Sequence, residues 1–316
     1  MRIGGLSLLA EVRRYLECRR KVVGYALVIL VVGLLFLGLI RNWRYVDWSV
    51  YRLDVRYLLL SLIPHALGLG LGGVVWALIV LKVESGQGFW RSFRIYFLSN
   101  IGRNLPGGIW HIAGRVYLYK RAGASKATAA VATGVELLLA VWAGAATYTT
   151  GLLLRPVQPL IPREWLIALL FLLGILLCPP VFNGLVNWFV SRSAGESKTP
   201  VAVGVCTILR WVVLYLIIIF VGGIVLFLVG NAIYPLDWEA LPSVAGAWGI
   251  SMAVGGLTFW IPVRIGIRDG ILAVALSEQM PFSAAVIVAA MWRVWISISE
   301  VVWALVAACV GRLRSE

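Results

Sequence analysis

Apolar residues in this chain run in unbroken blocks rather than alternating or marking one helical face, and blocks of about 20 residues predict membrane-spanning helices. Six segments have that length and character: residues 22–40, 57–81, 127–153, 165–190, 203–231 and 283–310. Two further apolar stretches, 89–121 and 243–278, are each interrupted near the middle by Pro, Gly and Arg. Backbone that leaves the helix at membrane depth is tolerated only where protein or a wet cavity satisfies its N–H and C=O groups. Each interrupted stretch therefore predicts a re-entrant helical hairpin. The expected fold is an all-α integral membrane protein, one membrane domain over 1–316, with about six transmembrane helices plus two re-entrant helical hairpins.

Composition agrees with this pattern. Of the residues, 61% are hydrophobic and 13% charged, against about half and about a quarter in soluble domains. That balance excludes a soluble globule. A net charge of +14 would suggest nucleic acid in a soluble protein; here it is assigned to cytoplasmic loops and anionic lipid, and no nucleic-acid partner is expected. Arg13 to Lys21 precede an apolar run to Ile40 that is too long for a signal peptide and lacks a small-residue cleavage site, so it reads as a first span. With hairpins that do not cross, both termini, the 82–126 region and the 191–200 loop face the cytoplasm of a plasma-membrane protein. The 231–242 loop, assigned outside, carries Asp237 and Glu239 and no Lys or Arg. Arg41, Arg44, Arg52 and Arg56 in the first outside loop, beside only Asp47 and Asp54, run against the positive-inside rule.

The halves read as copies. An offset of 157 sets Gly123 on Met280 and brings Pro106 within one residue of Pro262. Repeat one covers about 22–153 and repeat two about 165–310, each with three crossings, which inverts the second copy. Inverted repeats place substrate at their interface, faced by broken half-helices.

Charge inside the membrane is expensive and usually faces a protein interior or a wet cavity, which singles out two stretches. In Asn100 to Arg115 (NIGRNLPGGIWHIAGR), Pro106, Gly107 and Gly108 end one half-helix and the next starts near Ile109. A helix start is a ready anion site. Arg103 precedes the break, and His111 and Arg115 share a helical face at i, i+4. In Trp260 to Gly270 (WIPVRIGIRDG), Pro262 precedes Arg264, Gly266 and Arg268, with Asp269 beside them. These residues form the candidate anion site. Glu136, Asp269, Arg293 and Glu300 balance its charge. The offset places Glu136 on Arg293, so this pair could meet across the pseudo-symmetry axis, and Arg293 and Glu300 share a face of the last helix. Trp110, Trp260, Trp292 and Trp295 read as interfacial or packing residues.

Some chemistries find no support. Cys18, Cys178, Cys206 and Cys309 are far apart, and His65 and His111 are the only histidines, so neither a metal nor another cofactor is expected. Gly68 to Gly73 (GLGLGG) matches a dinucleotide fingerprint in form but lies inside an apolar helix, where it reads as close helix packing.

The two motifs, in order and with Glu136 between them, resemble the lysylphosphatidylglycerol synthase transmembrane region, or flippase-like, family along nearly the whole chain. The resemblance implies a bundle with two re-entrant hairpins and movement of lipids or lipid-linked sugars between leaflets. Val263 and Arg264 stand where the family tends to have two glycines, and Asp269 replaces its usual Glu. The aminoacyl-transferring domain of some members is absent, so synthesis of lysyl lipid is not expected. The expected function is carriage of an anionic phospholipid or polyprenyl-phosphate-linked sugar. Two alternatives stand beside it: a membrane glycosyltransferase with a lipid-phosphate donor, using Asp47 or Asp54, and a non-transporting partner of a lipid-modifying enzyme.

Overall fold

The computed structural model describes residues 52–84, 86–104, 110–155, 158–194, 200–258 and 264–312. The predicted first span and the two proline breaks, with Pro106, Gly107, Gly108, Trp260 and Pro262, lie outside the described residues, as does Asp47. Among the described residues every element is helical. Helix α1 spans Val55–Val83, α2 Phe89–Asn100, α3 Trp110–Arg121 and α4 Lys126–Leu154; α5 spans Arg163–Leu177, α6 Pro179–Ala194, α7 Val205–Asn231, α8 Leu241–Leu257, α9 Arg264–Leu276 and α10 Phe282–Arg312. Single 3₁₀ turns cover Ile101–Asn104 and Trp238–Ala240. Five of these helical segments are long and apolar enough to cross a membrane, and α5 with α6 makes a sixth candidate if the bent pair is one span.

Local chemistry sets the boundaries. Asp54 caps α1 by accepting from the Arg56 N–H at 2.9 Å, and Ser125 caps α4 by accepting from Ala127 N–H at 3.1 Å. Between α3 and α4 the Ala124 N–H donates to Tyr119 O and the Gly123 N–H to Lys120 O, with Gly123 at φ 77°. This is a Schellman stop, and glycine adopts its left-handed backbone without strain. Glu84, at the end of α1, accepts from Thr128 Oγ1 and ties that end to the start of α4.

The span expected over 165–190 is two helices rather than one. Helices α5 and α6 bend by 67° at Cys178, whose ψ of 129° is extended. The cause is Pro179, because the ring of a proline pushes the preceding residue out of the helical region.

Glycines bring the remaining helices close. A Cβ on Gly151 of α4 would lie 2.6 Å from Pro242 O of α8, and Gly144 and Gly249 meet backbone to backbone farther along the same crossing. The residue pairing shows that α4 and α8 run antiparallel. Gly72 and Gly73 of the discarded fingerprint face Tyr96 and Phe97 of α2, so the packing reading of that segment holds. Such small residues let helix backbones approach where lipid is as apolar as the side chains.

Candidate functional site

The two charged stretches each build a local antiparallel helix pair. In the first, Gly102 sits against the backbone of His111, where a Cβ would be 2.7 Å from the His111 N atom, and Gly114 lies opposite Ser99. In the second, Ser251 Oγ of α8 donates to Arg268 O of α9 at 3.0 Å, and the Arg268 stem packs against Gly255. Among the described residues α3 runs from Trp110 and α9 from Arg264, and the expected start near Ile109 lies outside them.

Both pairs reach one cavity. Arg103, Arg268, Arg293 and Glu300 line it together with His65 of α1, Trp248 of α8 and Trp292 of α10, while Ile218, Val221 and Val225 of α7 form its apolar wall. Its volume of about 150 Å³ is several times the roughly 10–15 Å³ that one water needs. That is room for a phosphate-sized group with attendant water.

Glu136 of α4 organises the first pair. It accepts from Arg103 Nη2 at 2.9 Å and from Arg115 Nη1. Arg115 is fully buried; its Nη2 also donates to Asn100 Oδ1 at 3.3 Å and its Nε to Ser99 Oγ at 3.4 Å. Its guanidinium carbon lies 3.8 Å from the centroid of the Trp76 ring. Arg115 thus stands behind the cavity wall, while Arg103 stands on it.

In the second pair Asp269 partners Arg293, with Oδ2 3.4 Å from Nη1. Glu136 and Arg293 therefore do not meet: each is paired with the helix pair that precedes it in sequence. The reason is geometric, since each helical stretch packs on the helix that follows it and presents its charges there. Arg268 has no ion pair with any described residue and lies over the Trp248 ring at 4.9 Å. Trp248 and Trp292 meet edge to face at 4.8 Å, and Trp292 lies 5.9 Å from the His65 ring. Of the charged groups that line the cavity, Arg103, Arg268 and Arg293 stand beside one carboxylate, Glu300, with Glu136 and Asp269 behind as partners of Arg103 and Arg293.

Several donors on the cavity residues are buried without a hydrogen-bond partner among the described residues: Arg103 Nε, Arg268 Nε and Trp292 Nε1. Donors left in this way suit a ligand rich in acceptor oxygens.

No protein-family model matches the chain, and no curated protein matches it.

The other expected site residues are placed as follows. His111 is buried inside the first helix pair and is absent from the cavity lining. Gly266 lines a separate apolar pocket with Ile250, Val254 and Ile271. Arg264 opens α9, and its side chain lies outside the described residues. Asp54 serves as the α1 cap. Sequence reasoning missed His65, Trp248, Trp76 and Tyr96. A lone histidine beside Pro64 in an apolar span was the one available signal, because the contacts of the aromatic residues depend on which helices meet.

Proposed function

We propose that this chain is a flippase-like lipid carrier that seats a phosphate-bearing headgroup, of an anionic phospholipid or a polyprenyl-phosphate-linked sugar, and moves it between the leaflets of the plasma membrane. The observation that carries this reading is that Arg103 and Arg268, from helix pairs far apart in sequence, line one cavity with unpartnered buried donors. Arg103, Arg268 and Arg293 hold the phosphate. Arg115 positions Glu136, which in turn offsets part of the charge of Arg103. The long acyl or prenyl chains stay in lipid, as the size of the cavity requires.

The same reading takes α2 with α3, and α8 with α9, as re-entrant hairpins of an inverted repeat, with both termini cytoplasmic. Its support is the element order: a long helix, two helices that pair, then a long helix, over α1–α4 and again over α7–α10. The offset of 157 carries His111 to Arg268 and Glu136 to Arg293, so position is kept while charge is exchanged. Membership of the lysylphosphatidylglycerol synthase transmembrane family remains part of this proposal.

Vesicles with labelled phosphatidylglycerol in one leaflet test it. Wild-type protein accelerates transbilayer movement, and an Arg103→Ala, Arg268→Ala double variant does not. Equal movement in both would overturn the site.

A further inference from the structure

We infer that the headgroup cavity takes up a proton together with its anion, on His65. The inference rests on the carrier reading above and adds a second, co-bound species. His65 is only 7% exposed, lines the cavity, and its Nδ1 is buried with no hydrogen-bond partner among the described residues. A buried ring nitrogen left in this way departs from the rule that buried polar groups are paired. It stands on α1, across from the arginines, and contacts Trp292, another cavity residue whose Nε1 is unpartnered.

The charged groups on the cavity wall decide the sign. The 3₁₀ turn contributes Arg103, α9 Arg268, and α10 Arg293 and Glu300; Asp269 and Glu136 stand behind as partners of Arg293 and Arg103. Among the lining residues, α7 and α8 contribute no charge, and His65 is the only titratable group from α1. A phosphate seated among these arginines offsets their charge and favours an imidazolium ring. By reciprocity a protonated ring favours the phosphate. Histidine is the side chain whose charge responds most readily to a change in neighbouring charge, here the arrival of the anion. Nothing is transferred covalently: the proton comes from bulk water and returns there when the anion leaves.

The test is calorimetric titration of dioctanoyl phosphatidylglycerol into the full chain in detergent, in two buffers of different ionisation heat, between about pH 5.5 and 8. The phosphodiester keeps one charge across this range, so the probe contributes no proton of its own. Wild type is expected to bind more tightly as pH falls, approaching at most tenfold per pH unit for one proton, with net proton uptake on binding. His65→Gln and His65→Asn bind with a flat profile and no uptake, while His111→Gln keeps the wild-type slope. Binding without uptake in wild type, or unchanged uptake in a folded His65 variant, overturns the proton linkage and leaves the carrier reading standing. Absence of binding at every pH overturns both.

Discussion

Arg115 lies with its guanidinium carbon 3.8 Å from the Trp76 ring centroid and donates on its other side to Glu136. A fully buried cation is thereby enclosed by an indole, a carboxylate and the side chains of Ser99 and Asn100. Its role is to keep Glu136 in place.

Removal of that cation should damage the fold before it damages binding. Breaking a buried pair from one side typically costs about 3 to 5 kcal/mol, so Arg115→Ala should lower the melting temperature of the detergent-solubilised protein markedly. Arg115→Lys should recover little, because an ammonium lacks the planar fork that reaches Glu136, Asn100 and Ser99 together. A melting temperature within a degree or so of wild type would contradict this.

Trp76→Leu should be costly as well. Desolvated cation–π contacts contribute about 2 kcal/mol, to which the lost Trp76 Nε1 hydrogen bond to Tyr119 Oη, at 3.0 Å, adds about 1 kcal/mol. These effects, together with the packing lost where a fully buried indole becomes a smaller side chain, should show as a clear fall in thermal stability in the same detergent.

Arg268→Ala should separate binding from stability in the opposite sense. Arg268 has no ion pair with a described residue, so its removal strands no carboxylate. Loss of one charge-assisted contact to phosphate, about 1.5 to 3 kcal/mol, predicts roughly 10- to 100-fold weaker binding of phosphatidylglycerol, with a smaller fall in melting temperature than Arg115→Ala because only the contact with the Trp248 ring and the stem packing are lost.

Glu136→Gln should release Arg103 from its partner, raise affinity for an anionic lipid, and lower stability through Arg115. Titration with phosphatidylglycerol and a thermal melt read the two effects separately. Weaker binding would show that Glu136 orients Arg103 more than it neutralises it.

Gly102→Ala tests the tight base of the first helix pair. The added methyl would lie 2.7 Å from the His111 N atom, and backbone cannot yield as a flexible side chain does. Overpacking typically costs about 1 to 3 kcal/mol. The variant should lose stability and also lipid movement, because Arg103 is the next residue.

How much of this was legible beforehand depends on the kind of interaction. The existence of α1, α4, α7 and α10 follows from long apolar runs and was readable in order, whereas the caps Asp54 and Ser125 emerge only with the structure. The convergence of Arg103 and Arg268 on one cavity was anticipated from two similar motifs, since charge in lipid needs a shared polar space. The break at Pro179 was also written in the chain, yet the apolar run on either side concealed it. The partner of Glu136 was not readable. Spacing along the sequence suggested Arg293, whereas the choice among nearby arginines is made by helix rotation and by the glycines that set how closely backbones approach. His65 was visible only as an isolated polar residue, and its significance depends on which helix it faces.

The ion pairs described above, Arg103 and Arg115 with Glu136 and Arg293 with Asp269, each close within α1–α4 or within α7–α10. Between these two groups the contacts include close glycine crossings, as where Gly68 meets Val221 and Gly144 meets Gly249, and ring contacts, His65 with Trp292 and Phe97 with Trp303. These ion pairs thus hold charge within each group, while glycine crossings and aromatic rings join the two groups. Sliding along that seam would leave these three salt bridges intact, so a shear between the two groups of helices works against their packing rather than against these pairs.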